Sequence, residues 1–452
     1  MSLLIDPPGA GRLRPYRLPA ATRDRLDNGL TLLHAGHGGM PLVTMVAVLD
    51  AGTIREVPAQ AGLAALMADT LDAGAAGRSG EELAWEMERL GLELAAEATW
   101  DASWVTATVA VERFEAALAL VADVIRRPSF PASEVERVRG EALAEILQRR
   151  KDPRALANDL ILHFLYGDDV AYGRPANGLP ERLRSLDAAG VANFHTANVT
   201  PVRTALVVVG DLEAAMAGDV AASCFGDWPA RGRPGDAPAP HDGTQPTIVH
   251  IVDRPGSVQS EIRAGHAGVE RTHPDYFALR VMNTILGGAF TSRLNLNLRE
   301  RHGFTYGVRS GFAFRRAPGP FIIQTAVATE VTDRAVHEIL HEVSRLRESG
   351  ASADEVQNAR DYLAGVLPLE LQTTEQVAAR FADLVLYDLP DDYYQRYREA
   401  IRAVSSDDVA RVAHDHLNPQ RTTFCVVGDA RAIREPLASL GIGDVQVHRV
   451  PD

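Results

Sequence analysis

Residues 337–341 read His337-Glu338-Ile339-Leu340-His341. Two imidazoles at i and i+4 of a helix point to one face and can share a divalent metal. A glutamate beside the first can take a proton from a metal-bound water. The setting argues against that chemistry. Val336, Ile339, Leu340, Val343 and Leu346 form the apolar stripe of an amphipathic helix, which leaves both histidines at its edge or outside it. No third ligand follows at a known metallopeptidase spacing. Adventitious metal capture by paired surface imidazoles is the better reading, and an active zincin on His337, Glu338 and His341 is the remote alternative. His414 and His416 lie two apart and so point apart on a helix, and His34 and His37 flank a glycine-rich turn. Cys224 and Cys425 form no Cys-x-x-Cys pair and read as buried thiols. Gly287-Gly288 has no Gly-Lys-Ser/Thr after it, so it is no phosphate loop. The pair suits either close approach of a peptide backbone or the end of a helix.

The elements that must hold such residues are written twice. Residues 203–211 read Arg-Thr-Ala-Leu-Val-Val-Val-Gly-Asp and residues 421–429 read Arg-Thr-Thr-Phe-Cys-Val-Val-Gly-Asp. Val191, Ala192 and Pro201 match Val409, Ala410 and Pro419 in the same register. Pro131-Ala132-Ser133-Glu134-Val135 echoes Ser352-Ala353-Asp354-Glu355-Val356, and Asp50-Ala51-Gly52 echoes His266-Ala267-Gly268. A repeat this long is no solenoid and predicts two tandem domains of one fold. The boundaries expected are an N-terminal extension over 1–19, a first domain over 20–228, a linker over 229–246 and a second domain over 247–452. The linker is dense in proline and glycine, which continue neither helix nor sheet. Strands are predicted over Leu42 to Leu49 and Trp104 to Val111. Helices are predicted over Ala61 to Leu71, Gly80 to Leu90, Arg113 to Ile125 and Ser133 to Gln148. Ser79 with Glu82, and Ser133 with Glu136, read as capping boxes. The fold class is α+β, two tandem homologous domains, each an antiparallel-rich mixed sheet packed with helices.

Bulk properties narrow the function. The chain of 452 residues is 46% hydrophobic and 23% charged, as ordinary globular proteins are. A net charge of −14 disfavours nucleic acid and anionic membranes as partners. No apolar run approaches the ~20 residues of a membrane span. Met1-Ser2-Leu3-Leu4-Ile5-Asp6-Pro7 lacks a basic stretch followed by an apolar one. The expected location is cytoplasmic, or periplasmic if a native leader has been removed.

Asp50-Ala51-Gly52-Thr53-Ile54-Arg55-Glu56, followed by Ala61-Gly62-Leu63-Ala64, resembles the opening of the pitrilysin/insulinase/mitochondrial-processing-peptidase family of inverzincins. Arg78-Ser79-Gly80-Glu81-Glu82-Leu83 with Leu90-Gly91, and Tyr172-Gly173-Arg174-Pro175 with Gly178, continue the likeness across most of residues 20–440. In that family the next helix carries His-x-x-Glu-His, which binds zinc and activates its water. This sequence has Ala65, Ala68 and Asp69 in place of the first His, the Glu and the second His. Glu145 matches the third ligand, a carboxylate without its companions. The resemblance therefore implies no metal bound by this chain.

Ile285 to Leu294 and Leu298-Arg299-Glu300-Arg301-His302-Gly303-Phe304-Thr305-Tyr306-Gly307-Val308 resemble the family's C-terminal signature. The resemblance implies that Arg299 and Tyr306 face a zinc site across the substrate. A guanidinium and a phenol there would stabilise the charge that grows on a peptide carbonyl oxygen. The whole implies the zinc-less subunit of a heteromeric peptidase, inactive alone. Its partners would be peptide substrates and a homologous subunit with His-x-x-Glu-His and the zinc. A structural or peptide-binding scaffold with no peptidase partner is the alternative.

Overall fold

The computed structural model describes residue 16, residues 18–231 and residues 246–450. The expected linker over 229–246 and the extension over 1–19 lie outside the described residues except at their inner ends. The first half builds a six-stranded sheet in the order Ala21–Arg25, Thr31–Gly36, Thr204–Gly210, Leu42–Leu49, Ser103–Ala110, Glu93–Ala98. The second builds Asp444–Arg449, Ile248–Asp253, Thr423–Gly428, Gln259–Ala267, Pro320–Ala328, Val308–Phe312. Read in that direction the two sheets have one topology. In each, the last strand of the repeat enters the centre and pairs parallel with the first (Thr31 beside Ala205, Val249 beside Phe424). The three sequence echoes occupy equivalent places: the central strands, the starts of the helices Ala132–Lys151 and Ala353–Val366, and the ends of the strands Leu42–Leu49 and Gln259–Ala267. The outermost strand differs. It comes from the front of the chain in one sheet, antiparallel, and from its end in the other, parallel.

Helices close both faces of each sheet, and one helix on each is supplied by the other half. Pro153–Tyr166 lies on Gln259–Ala267 and Thr423–Gly428, while Thr374–Leu386 lies on Leu42–Leu49 and Thr204–Gly210. Leu156, Ile161, Leu162 and Leu165 share a core with Cys425 and Val427. Val377, Phe381 and Leu384 share one with Val46, Val48, Val207 and Val209. A strand-to-helix hydrogen bond fixes each crossing. Thr44 Oγ1 donates to Thr374 Oγ1 (2.8 Å), and Arg263 Nε donates to Asn158 Oδ1 (2.6 Å). Strands covered on both faces need no alternation. Leu42–Leu49 is accordingly buried from its second residue onward, whereas Ser103–Ala110 alternates.

A loop of the second half completes the joint. Arg316 Nη1 meets Asp50 Oδ1 (2.7 Å) and its backbone N–H donates to Asp101 Oδ2 (3.0 Å). The Arg315 guanidinium stacks 3.7 Å from the Trp100 ring, and Ala317 N–H donates to Tyr172 Oη (3.2 Å).

Of the two capping boxes read in the first half, one forms and one does not. The Ser79–Glu82 box forms. Ser133 caps nothing, because the helix begins at Ala132 with Pro131 as its cap residue. The repeat shows why: Pro131 stands where the second half has Ser352, whose box with Glu355 does form. Both cysteines are free; Cys425 is buried, which pushes its thiol up to about 12, whereas Cys224, expected to be buried, is only half-buried.

All four tryptophans lie in the first half, at Trp85, Trp100, Trp104 and Trp228. Phe381→Ala, in the second half, is therefore expected to lower the tryptophan-fluorescence unfolding midpoint. The expected loss is about 3–5 kcal/mol in one transition. A tryptophan transition unmoved by this substitution would show that the halves unfold independently.

Candidate functional site

The degenerate metal motif keeps its scaffold. Gly62 opens its helix at φ +106°, and a Cβ on Gly178 would fall 2.5 Å from the Gly62 Cα. Only paired glycines allow these two backbones to meet. The Glu56 carboxylate accepts from the N–H groups of Gly62 (3.2 Å) and Ala64 (2.7 Å) at the helix start. Burial pushes that carboxyl up to about 7 despite those bonds. The helix is shorter than predicted, Leu63–Ala68, but Asp69 N–H still donates to Ala65 O (2.9 Å), which keeps 65 and 69 on one face. The helix Ala132–Lys151 brings Glu145 to that face. Ala65, Asp69 and Glu145 line one cavity of about 540 Å³ with Glu97, Trp100 and Arg149, while Ala68 is buried.

Two methyl groups and two carboxylates make a poor zinc set, which wants imidazole or thiolate. Among the described residues, one trio of His, Cys, Asp or Glu has donor atoms close enough to share an ion: His273, Asp275 and His416, in another place. There Asp275 is already paired bidentately with Arg411 (3.0 and 2.7 Å). The residues at the motif do not fit zinc. Burial, with the neighbouring Glu145 and Asp72, instead pushes the Asp69 carboxyl up to about 6.

Arg299 lies on a π-helical turn, Asn295–Arg301, and Tyr306 on the loop leading to Val308–Phe312. Gly303 turns the chain between them at φ +64°. Buried Asn295 brackets the loop: its Nδ2 donates to Val308 O (2.9 Å) and its Oδ1 accepts from Val308 N–H (3.1 Å). Thr325 Oγ1 lies 2.9 Å from Thr305 Oγ1 and 3.0 Å from Gly307 O, so both neighbours of Tyr306 are pinned. The Tyr306 side chain stands 97% exposed. Arg299 rests on the exposed Phe290 ring (4.3 Å) and lies 3.6 Å from Glu300. Gly287 is buried, and a Cβ there would meet Ser310 N at 2.8 Å; Gly288 is at the surface.

Three adjoining cavities run from the degenerate motif to Tyr306, and Arg299, Gly287 and Gly288 lie outside their linings. The metal-motif cavity shares Asn158 and Leu162 with a second cavity of about 430 Å³, which shares Arg309 and Gln324 with a third of about 330 Å³ that Tyr306 lines. Helix Pro153–Tyr166, the helix exchanged between halves, forms the bridge. The metal-motif end is rich in carboxylates, and the Tyr306 end carries Arg154, Arg309 and Arg263, the last paired with Glu261 (2.9 Å).

The His337–His341 segment lies elsewhere, in a cavity of about 280 Å³ with Leu440 and Ile442 that shares no residue with the other three. Glu338 is engaged by Asn297 Nδ2 (2.8 Å), which also holds Glu342 (2.7 Å). The motif's glutamate thus anchors the Arg299 turn. Sequence reasoning missed Arg315, which lines the second cavity, and the contacts that Arg316 and helix Thr374–Leu386 make with the first half, for no local pattern marks a contact across the repeat.

Residues 40–172 match the family model described as insulinase (peptidase family M16), and residues 185–363 match the one described as peptidase M16 inactive domain. A Streptomyces coelicolor protein named an uncharacterized zinc protease is 26% identical over 90% of this chain and 89% of its own length. A crystal structure of a peptidase M16 inactive domain from Pseudomonas fluorescens superposes with TM-score 0.85 at 24% identity, covering 90% of this chain and 98% of that one. A Helicobacter pylori protease superposes at 0.83 and 17% identity, over 91% and 100%.

Two outcomes are expected at the degenerate motif. The triple substitution Ala65→His, Ala68→Glu, Asp69→His should create stoichiometric zinc binding with Glu145, read by metal analysis after dialysis. Zinc-free triple variant would show Glu145 out of reach. Asp69 prefers its neutral form in the fold, so its ionisation costs stability. That cost is absent below the ordinary value of 3.8 and complete above about 6. Asp69→Asn should therefore raise the melting midpoint at pH 8 and leave it nearly unchanged below pH 3.8.

Proposed function

The chain belongs to the insulinase (M16) peptidase family, and from that premise we propose that it is the metal-free subunit of a two-chain peptidase. A homologous subunit with an intact His-x-x-Glu-His would hold the zinc and activate the water. This chain would bind an extended peptide along its groove and stabilise the transition state from the opposite side. The observation that carries the reading is Tyr306, a phenol fixed at its backbone yet fully presented to solvent, on the same groove as the degenerate motif. An exposed aromatic on a pinned loop is pre-organised for a ligand that arrives from outside the chain.

Tyr306 Oη would donate to the carbonyl oxygen of the scissile bond as negative charge develops there. Arg299 would add a charged donor. Its present contacts, with Phe290 and Glu300, are solvent-exposed and weak, so a peptide carbonyl can replace them at little cost. Gly288 would leave this end of the groove open to backbone. Gly287, under Ser310, would act by letting the π-helical end pack tightly. The arginines beside Tyr306 would deepen the positive field around the developing oxyanion.

The test is peptide hydrolysis by the purified chain, by a His-x-x-Glu-His homologue from the same source, and by their mixture. Hydrolysis is expected in the mixture alone. Arg299→Ala and Tyr306→Phe should each lower its kcat/KM by roughly 10²–10³ without shifting the melting midpoint of this chain. A mixture that stays inactive yet binds peptide would favour the scaffold reading, and unaltered variants would remove the oxyanion role.

A further inference from the structure

The middle of the three adjoining cavities, about 430 Å³, differs in charge from its neighbour at the degenerate motif. Two arginines line it, Arg309 from the edge strand Val308–Phe312 and Arg315 from the loop that joins the halves. No carboxylate lines it among the described residues. In a chain of net charge −14 that is a local reversal of sign. Leu162 of the exchanged helix, with Phe312 and Ile322 of the second sheet, supplies apolar wall. Its size is that of a site for a small ligand or for the end of a longer one.

Arg315 is 9% exposed, and its Nη1 is buried with no hydrogen-bond partner among the described residues. Its guanidinium carbon lies 3.7 Å from the Trp100 ring and 4.7 Å from the Tyr172 ring. Stacking of this kind engages the face of the group and leaves the N–H donors in its plane unspent. Asp101 acts on its charge from a distance, but that carboxylate gives its oxygens to Tyr172 Oη (2.5 Å) and Arg316 N–H (3.0 Å). Burial disfavours the charged guanidinium, and Tyr172, Asp101 and their neighbours offset this only in part. A buried cation without a partner costs folding free energy. Arg309, at an exposed position of its strand, has no ion pair among the described residues either.

We propose that this cavity binds a carboxylate carried on an apolar body, the carboxylate in the plane of the Arg315 guanidinium with Arg309 beside it, and the body against Leu162, Phe312 and Ile322. The planar fork of an arginine matches the two oxygens of a carboxylate, and such charge-assisted pairs are the strong ones. The ligand would supply the partner that the fold leaves out. Two sources share this chemistry, the C-terminus of a peptide and a free organic acid. The site goes beyond the two-chain reading and needs neither the partner subunit nor hydrolysis.

The experiment uses the whole chain alone. It is titrated by calorimetry with acetyl-alanyl-leucyl-phenylalanine as the free acid and as its C-terminal amide, and with 4-phenylbutyrate and 4-phenylbutyramide. An acid should bind roughly tenfold or more tightly than its own amide. A preference shown by the tripeptide alone assigns the site to peptide C-termini, and one shown by phenylbutyrate assigns it to organic acids at large. Arg315→Lys, which keeps the charge and loses the fork, should remove the preference, and Arg309→Gln should reduce it several-fold. Arg434→Gln, an exposed arginine outside the lining, should leave it intact. A second measurement needs no variant. The preferred acid should slow phenylglyoxal modification of Arg309 and not of Arg434, read residue by residue by mass spectrometry, and its amide should slow neither. Equal binding of acid and amide in both pairs, a preference undiminished in the Arg309 variant, or unslowed modification of Arg309 would overturn the site. An inactive two-chain mixture with the preference intact would fault the heteromeric reading instead.

Discussion

Each sheet of this chain is closed on one face by a helix from the other half. A sheet whose central strands are apolar on both faces must be covered on both. The first half can cover one face of its own sheet with its own helices, and Thr374–Leu386 has to come from the second half for the other. Pro153–Tyr166 repeats the arrangement in reverse. Neither half is a self-sufficient hydrophobic unit, even though the sequence is a tandem repeat. The loop with Arg315 and Arg316 adds directional contacts to this non-directional burial, locking the relative orientation of the sheets through Asp50, Asp101, Trp100 and Tyr172.

The same exchange makes the groove. Asn158 fixes the crossing helix to Arg263 and lines the cavities on either side of it, and Leu162 lines both as well. Groove width is therefore tied to a packed core rather than to mobile loops. The same packing holds positions 65, 69 and 145 on one cavity. The Gly62–Gly178 contact, the Glu56 cap and the packing of the helix Ala132–Lys151 serve the fold, so positions 65, 69 and 145 stay together whichever residues stand there. Asp69 and Glu145 share that cavity, and burial first, with the neighbouring Glu145 and Asp72 after it, raises the Asp69 carboxyl.

What the sequence disclosed follows from the range of the forces involved. Leu42–Leu49 and Gly80–Leu90 were legible to the residue because strand composition, a capping box and Gly91 at the helix end are local signals. The repeat was legible because equivalent burial selects equivalent residues, and it carried the α+β class with it. The family resemblance supplied positions 65, 69, 145, 299 and 306 as expectations, of which 65, 69 and 145 share one cavity and 306 is exposed on another. The reciprocal exchange was not legible, since an apolar helical face does not say which sheet it will cover. The Ser133 box failed because its sequence form ignores the chain's entry through Pro131. His337-Glu338-x-x-His341 shows the same limit from the other side: a motif with a chemical meaning of its own is used here to hold a turn, since Glu338 goes to Asn297.

That turn is the part of the molecule least explained by stability. A large aromatic side chain left in water contributes little to folding, yet the backbone around Tyr306 is held by Asn295, Thr305 and Thr325. Asn295 and Asn297 are buried amides on a helix that would pack more simply with aliphatic residues there. Fixing an exposed residue in this way costs conformational entropy and returns no burial. The arrangement makes physical sense where the return comes from outside the chain, when a peptide carbonyl meets a phenol that need not reorganise to receive it. Arg299 is held differently, by exposed contacts with Phe290 and Glu300, whereas the backbone of Tyr306 is pinned on both sides.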